Sequence, residues 1–161
     1  MKQEEILQQV KDGRLSIEEA STLLKGIEDI GYAAIDLSRQ KRNGFPEIIY
    51  GEGKNIEQLI GIITAMNEHK TAILATRVNA EKGEALSLAF PEGVYEPLGR
   101  TFVLNPIAPK HEHYIAVVTA GTSDIPVAEE AAVTAETFGN HVKRIYDVGV
   151  AGIHRLFNRI E

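Results

Sequence analysis

Three polar residues, Thr122 to Asp124, follow a short apolar run at positions 115–118, and the segment between them ends at Gly121. A second apolar run, at positions 142–146, is followed at once by Asp147. Runs of this length and composition are typical of buried parallel strands. Ligands of open α/β sheets sit beyond the carboxyl ends of such strands, where a carboxylate can take up a proton and backbone amides can bind a phosphate. The spacing therefore indicates a candidate site formed by two strand ends.

The residues between the two runs predict one helix, which completes a β-α-β unit. Gly121 is expected to allow a tight turn, and Pro126 suits the first helical turn because no backbone donor is needed there. A Gly-Asn pair at 139–140 would end the helix. A purely structural role competes with the chemical one, since Ser123 and Asp124 are residue types that commonly cap helices.

Three parts of the sequence resemble known families. AGTSDIPVAEEAA is similar to the GSxSD-x-P opening of the PurE-like proteins, the aminoimidazole ribonucleotide carboxylases and mutases. VVTAGTSDIPVAEEAAVTAETFGN and RIYDVGVAGIHRL look like the PurE-like domain of the LarB family, the pyridinium-3,5-biscarboxylic acid mononucleotide synthases. RQKRNGFPEIIYGEGK, at positions 39–54, looks like that family's N-terminal signature. The joint presence of these motifs is specific, and the resemblance covers nearly the whole chain.

The fold expected from the pattern and the resemblance is α/β. A small N-terminal α/β domain would occupy residues 1–108 and open with a helical hairpin at 3–25. The first β-α-β unit of a PurE-like domain, with a doubly wound parallel sheet, would follow at 109–161. The boundary falls in a linker-like stretch with two prolines, at 105–110. Because this unit supplies only two predicted strands, and the family's catalytic cysteine has no counterpart here, a truncated chain that is inactive alone is expected.

The resemblance also implies the activity of the complete protein. It would carboxylate the pyridinium ring of nicotinic acid adenine dinucleotide with CO2 and hydrolyse the phosphoanhydride, which releases AMP. The product would feed synthesis of the nickel-pincer nucleotide cofactor that serves lactate racemase. A homo-oligomer joined through the PurE-like domain is expected, no metal site is predicted, and a requirement for Mg²⁺ is left open. Two alternatives remain: an enzyme acting on aminoimidazole ribonucleotide, and a non-enzymatic nucleotide-binding module.

The resemblance and the strand ends together suggest roles for individual residues. Either of two carboxylates would position the ring or take up a proton, the turn would contact the ribose phosphate, and an arginine would offset phosphate charge. The His-Arg pair at 154–155 looks like the end of the Ser-Ala-His-Arg run of PurE-like proteins, although the preceding loop is longer here. The catalytic candidates are Asp124 and Asp147, and the substrate-binding candidates are Gly121, Thr122, Ser123, His154 and Arg155.

A second candidate surface lies in the N-terminal domain. Arg39, Arg42 and Lys54 are candidate anion-binding residues, because guanidinium groups bind phosphate through paired donors. A solvated basic turn is the competing interpretation. His111 and His113 form an H-x-H pair, but no third metal ligand is near in the sequence, so a polar lead-in to the next strand is predicted.

Composition excludes several classes of protein. The 161 residues are 43% hydrophobic with a net charge of −6, which supports a globular core and does not favour nucleic-acid binding. Without cysteine there is no disulfide framework and no thiolate metal site. No apolar run reaches the length of a membrane span, and the opening MKQEEILQQV lacks the apolar core of a signal peptide. A cytoplasmic protein that binds a small nucleotide, with no nucleic-acid or membrane partner, is therefore expected.

Overall fold

The computed structural model describes residues 3–149 and 151–158, and its fold is α/β, as predicted. Within that part of the chain, no helix has the length and apolar character needed to cross a bilayer. The elements are, in chain order, α1 (Gln3–Lys11), α2 (Ile17–Lys25), β1 (Ile27–Asp29), β2 (Ala34–Asp36), α3 (Arg39–Asn43), β3 (Ile48–Tyr50), α4 (Ile56–Glu68), β4 (Ile73–Thr76), α5 (Ala80–Ala89), β5 (Val94–Glu96), β6 (Thr101–Leu104), β7 (Tyr114–Val118), α6 (Ile125–Thr137), β8 (His141–Ile145) and α7 (His154–Phe157).

Reciprocal caps fix the starts of two helices, α2 and α4. At α2 the Glu19 amide donates to the Ser16 hydroxyl at 3.1 Å, and the Ser16 amide donates to the Glu19 carboxylate at 2.8 Å. At α4 the side chain of Asn55 accepts the Gln58 amide at 2.8 Å, and the Gln58 side chain accepts the Asn55 amide at 3.0 Å. Each arrangement satisfies two backbone donors that a helix start otherwise leaves without partners.

The largest sheet has four strands in the spatial order β3-β4-β6-β5. The β3–β4 pair is parallel, whereas β4–β6 and β6–β5 are antiparallel. A separate antiparallel pair, β1–β2, precedes it in the chain. The sequence did not predict β1 or β5. Strand β5 forms because Tyr95 pairs with Phe102 of β6 across the sheet.

Strand β4 is buried on both faces, although the side chains of a strand alternate between its two sides. Ile73, Leu74 and Ala75 have no solvent exposure at all. Ile73 and Ala75 belong to the main core together with Leu59 and Ile63 of α4. Leu74 lies between them in sequence and therefore points to the opposite face of the sheet. Because Leu74 is also fully buried, another element must pack on that face.

The cover of that second face is α6, which comes from the later part of the chain. The helix packs against both β4 and β6. A Cβ atom added to Gly99 would lie 2.8 Å from the backbone nitrogen of Glu130, so only a glycine allows this close approach. Arg77 pairs with Glu130 at 3.0 Å, and the rings of Phe45 and Phe138 are 5.4 Å apart. The predicted boundary at residue 108 therefore separates stretches of chain that pack closely together, and the division stays a prediction.

Strands β7 and β8 form a parallel pair with α6 as their crossover, as the sequence predicted. The helix ends at the predicted pair, where Gly139 has a left-handed φ of 84° and the Asn140 amide donates to the Ala135 carbonyl at 3.1 Å. The expectation that β7 is buried was wrong: Tyr114 is 60% exposed and Val118 is 51% exposed. In the described part of the chain only α6 covers this sheet extensively, so one of its faces stays open.

Candidate functional site

The carboxyl ends of β7 and β8 are held together beyond the last paired residues. The amide of the buried Thr119 donates to the Ile145 carbonyl at 3.1 Å, and its hydroxyl accepts the Asp147 amide at 3.1 Å. The Val148 amide donates back to the Thr119 carbonyl at 3.0 Å. Because the Gly149 amide also donates to the carbonyl next to the turn, at Ala120, the loop that carries Asp147 lies beside the turn at 121–124. The structure thus brings the two predicted strand ends to one edge.

The turn after β7 is a short 3₁₀ segment, Thr122–Asp124, and it replaces the predicted helix cap. Asp124 occupies the position just before α6, but its side chain makes no capping bond to the helix. The backbone donors there are already satisfied, because the Asp124 amide bonds the Gly121 carbonyl, the Ile125 amide bonds the Thr122 carbonyl, and Pro126 has no amide hydrogen. Of the two roles left open by the sequence, a cap on α6 from the Asp124 side chain is therefore not seen.

The Asp124 carboxylate folds back over the turn instead. Its Oδ2 atom accepts the Gly121 amide at 3.2 Å, and the side chain is exposed. The other carboxylate oxygen makes no hydrogen bond with any residue in 3–149 or 151–158. This carboxylate is accordingly fixed by one backbone bond and open to a ligand on its other side.

Gly121 is not required by the shape of the turn, contrary to the prediction. Its φ of −127° and ψ of 167° are extended angles that any residue adopts. A Cβ atom added there would come no closer than 3.8 Å to the nearest atom, the Ser123 hydroxyl oxygen. The space above Gly121 is therefore empty, and a ligand can approach the backbone closely at this point.

Two backbone amides of the turn are available to bind an anion. The amides of Thr122 and Ser123 make no hydrogen bond within the described residues, since the first donors of a 3₁₀ segment have no partner earlier in the turn. Both side chains are exposed. The turn thus offers two amides and two hydroxyls to an oxyanion, with the α6 dipole behind them.

On the other strand end, Asp147 is held by Arg155. The Arg155 Nη2 atom lies 2.6 Å from both the carboxylate and the backbone oxygen of Asp147. Asp147 itself adopts a left-handed φ of 59°, which is uncommon for a residue with a side chain. His154 opens α7 and is exposed, and its ring makes no hydrogen bond with a described residue. Arg155 therefore balances the charge of Asp147. Asp124 has no cationic partner among the described residues and accepts only one backbone amide.

A partly buried ion-pair network joins α6 to β8 and so fixes the position of the turn. Arg144 lies between Glu129 and Glu136 of the helix, with contacts of 2.8 Å and 2.6 Å. Tyr146 also donates to Glu129 at 2.9 Å. Burial alone would raise the pKa of Glu129, but the bonds from Arg144 and Tyr146 outweigh it and hold that pKa below its ordinary value. Burial, with help from Glu129, raises the pKa of Tyr146 to about 12.

Sequence reasoning missed this network, although a signal for it was present. Glu129 and Glu136 are seven residues apart, which places both on one face of a helix. Arg144 falls on the face of β8 opposite to that of its neighbours in sequence. A pair of acids on the buried side of a crossover helix, followed by an arginine in the next strand, is the pattern that would have revealed it.

The three candidate anion-binding residues of the N-terminal domain do not form one described cluster. Arg42 pairs with Asp36 and also donates to the Ser38 hydroxyl. Arg39 has no partner among the described residues and lines an open groove between α3, β3 and α6. Lys54 lies in the turn after β3, and its ammonium group has no partner in the described part of the chain. No three His, Asp or Glu side chains within residues 3–149 and 151–158 are placed to hold a metal ion.

The fold and the strand ends define an α/β protein with a polar crevice at the edge of a parallel sheet. Comparison with known families makes this more specific. Residues 27–106 match the family described as the LarB/PurE-like N-terminal domain, a span that includes the stretch 39–54. The chain therefore carries a LarB/PurE-like N-terminal domain, which supports the resemblance to the LarB family found in the sequence.

One curated relative is an uncharacterized protein of Methanocaldococcus jannaschii. It is 33% identical over 168 residues, which cover 95% of this chain and 64% of the relative. The chain thus spans less than two thirds of the length of that relative. Because the alignment covers nearly all of this chain, the similarity includes the strand-end crevice as well as the N-terminal domain.

Proposed function

We propose that the protein is a carboxylase of the LarB type, which acts on nicotinic acid adenine dinucleotide. The reaction adds CO2 to the pyridinium ring and hydrolyses the phosphoanhydride with release of AMP, as a step towards the nickel-pincer nucleotide cofactor. The observation that carries the proposal is the strand-end crevice. It places an exposed carboxylate, Asp124, next to two free amides, in a chain that carries a LarB/PurE-like N-terminal domain.

The chemistry requires a proton acceptor. When a ring carbon exchanges its hydrogen for a carboxylate, the new carbon–carbon bond forms to CO2 and a proton leaves the ring. Asp124 is suited to accept that proton because one of its oxygens has no partner among the described residues. Asp147, already paired with Arg155, would instead position the ring or the ribose.

The phosphate end of the substrate needs donors. Hydrolysis adds water across the phosphoanhydride and leaves one phosphate on each product. The free amides of Thr122 and Ser123 would hold the phosphate that stays with the pyridinium ribose, and the empty space above Gly121 would let it approach. Mg²⁺ is usually bound through one or two carboxylates together with substrate phosphates, so a requirement for Mg²⁺ is part of the proposal's test.

The test is a direct assay of both half-reactions. The protein is incubated with nicotinic acid adenine dinucleotide and labelled bicarbonate, with and without Mg²⁺, while AMP release and label in the ring are measured. Both products are expected from the complete protein, and aminoimidazole ribonucleotide should not be consumed. Turnover of aminoimidazole ribonucleotide without AMP release from the dinucleotide would assign the protein to the purine-pathway enzymes. Binding of the dinucleotide without any product would leave a nucleotide-binding module.

A further inference from the structure

A second polar edge lies at the carboxyl ends of the parallel strands β3 and β4. Three segments of chain meet there. The Gly51 amide donates to the Thr76 carbonyl at 2.7 Å, and the Val78 amide donates to the Arg100 carbonyl at 2.8 Å. A Cβ atom on Gly51 would lie 2.8 Å from the Thr76 carbonyl oxygen. The segments are therefore packed backbone to backbone, and their side chains emerge together.

Two arginines emerge from this edge in a costly conformation. Arg77 has a φ of 56° and Arg100 a φ of 54°, in the left-handed region where glycine or asparagine is favoured. Both side chains remain accessible, with exposures of 45% and 42%. Local backbone preference does not account for arginine at either position. The presence of arginine at these two positions therefore indicates a role for the guanidinium side chains.

The donors of this edge outnumber the acceptors they meet. Arg77 reaches Glu130 through Nε at 3.0 Å, and no bond to a described residue uses its two terminal nitrogens. Arg100 approaches Glu52 only to 3.9 Å, beyond hydrogen-bond distance. Lys82 donates to the backbone carbonyls of Gly51 and Glu52 at 2.8 Å and 3.2 Å.

Besides Glu130, which pairs with Arg77, the Glu52 carboxylate lies near all three cations. The Glu52 carboxylate is 55% exposed and accepts the hydroxyl of Tyr50 at 2.5 Å. That bond, followed by the nearby positive charges of Arg100, Arg77 and Lys82, holds the pKa of Glu52 below its ordinary value. Glu52 is thus an exposed anion near three cations, and its nearest approach to Arg100 is 3.9 Å. We call Tyr50, Glu52, Arg77, Lys82 and Arg100 the sheet-edge cluster.

We propose that the sheet-edge cluster is a binding site for a phosphate group, distinct from the crevice at Asp124 and Asp147. The incoming phosphate takes the place of the Glu52 carboxylate between Arg77 and Arg100. A phosphate suits the site better than a carboxylate, because its three terminal oxygens match two guanidinium groups and an ammonium group. The position, beyond the carboxyl ends of two parallel strands, is where α/β sheets bind ligands. The proposal stands whether or not the protein carboxylates a dinucleotide.

A purely structural role makes a different prediction. If Arg77 and Arg100 only tie the loops to α6, then their loss lowers stability and leaves no anion affinity to lose. The sign of the Glu52 effect also separates the two roles. If the cluster binds an anion, removal of the competing Glu52 carboxylate raises the affinity for that anion. If the cluster is only structural, the same removal weakens an ion pair and creates no change in anion affinity.

The experiment is a titration of the ¹⁵N-labelled chain with inorganic pyrophosphate at low ionic strength, followed by NMR. Saturable shifts are expected in the amides of Gly51, Glu52, Arg77 and Arg100. Arg77→Gln and Arg100→Gln should each weaken the affinity read from these amides by about tenfold or more. Glu52→Gln should strengthen it severalfold.

Arg14→Gln is the matched control, because Arg14 is an exposed arginine paired with Asp12 in the loop between α1 and α2. It removes the same charge and should leave the affinity unchanged. Thermal unfolding of each variant verifies that it is folded. The proposal is overturned if the four amides do not shift, if only residues 121–124 respond, or if the control variant loses as much affinity as Arg77→Gln.

Discussion

At Asp124 the geometry separates two roles that the sequence left open. The side chain does not cap α6 but accepts the Gly121 amide with one oxygen and leaves the other oxygen open. An asparagine at this position can accept the same amide, yet it carries no charge and is a poor base. The substitution therefore removes the chemistry and keeps the contact.

We predict that, in the complete protein, Asp124→Asn leaves the melting temperature nearly unchanged and lowers AMP release by roughly two to four orders of magnitude, the usual contribution of a general base. The measurement pairs a thermal melt with the assay on nicotinic acid adenine dinucleotide. Asp147→Asn serves as the comparison variant. Near-normal activity in a stably folded Asp124→Asn protein would make Asp147 the better candidate for the catalytic carboxylate.

The empty space above Gly121 leads to a second prediction. Gly121→Ala should raise stability slightly, by about 0.4–1 kcal/mol, because the extended backbone accepts alanine and the unfolded chain loses freedom. The same methyl group should obstruct the phosphate and raise KM for the dinucleotide. Thermal melts and steady-state kinetics on one preparation test both parts. An unchanged KM would show that no ligand passes over this glycine.

The candidate site was predictable from sequence in its position but not in its contacts. The two apolar runs placed Asp124 and Asp147 at neighbouring strand ends, because strand direction follows from the β-α-β pattern. The roles of Gly121 and Asp124 within the turn depended on a 3₁₀ segment, which residue type alone does not determine. Arg77 and Arg100 went unnoticed because nothing in the sequence brings two distant loops to one sheet edge.

The ion-pair network between α6 and β8 depends on the ionised state of Glu129. In the unfolded chain this carboxyl has its ordinary pKa, about 4.5, and in the folded protein the value is lower. The network therefore stabilises the fold above about pH 4.5. That stabilisation disappears as the pH falls through the lowered value.

We predict that Glu129→Gln reduces the free energy of unfolding at neutral pH by about 1–3 kcal/mol, because a hydrogen bond to a charged group is lost. The variant should also lose less stability than the parent protein between pH 5 and pH 3, in round figures. Urea unfolding across this range measures both effects, with the exposed Glu92→Gln as the control. Equal pH slopes for parent and Glu129→Gln would contradict the role given to the network.

Among the elements, capped helices are the most predictable from sequence. The side chains of Ser16, Asn55 and Asn79 each accept a backbone amide three residues later, and these residue types are typical of helix starts. The three-residue strands β1 and β5 were missed, since so few residues carry no reliable periodicity. Their formation depends on partners elsewhere in the chain, such as Phe102 for Tyr95. Such pairing is decided by tertiary contacts.

For the molecule as a whole, α6 is the element that covers both the four-stranded sheet and the β7–β8 pair. It covers the Leu74 face of the first sheet and one side of β7 and β8. The Ile107 amide lies in the predicted linker and donates to the carbonyl of Thr137, the last residue of α6, at 2.9 Å. The stretch between the two sheets is therefore docked on the helix, a feature that its two prolines did not indicate.

We predict that residues 1–108 fold alone, since they contain a core of their own, but melt at a lower temperature than the whole chain. The reason is the loss of α6 from the Leu74 face. Thermal unfolding of both proteins by circular dichroism provides the comparison, with residues 27–108 as a control for the helical hairpin. A non-cooperative melt of 1–108 would count against the boundary.

The place of α6 in the chain also has a consequence during synthesis. A ribosome completes β3 to β6 before it makes the helix that covers them, and Thr137 follows Leu104 by roughly two to seven seconds at ordinary elongation rates. Throughout that interval the nascent chain displays the apolar side of β4 to the surrounding solution. A chaperone that binds extended apolar segments would find its target in this window, and its release would coincide with the arrival of α6.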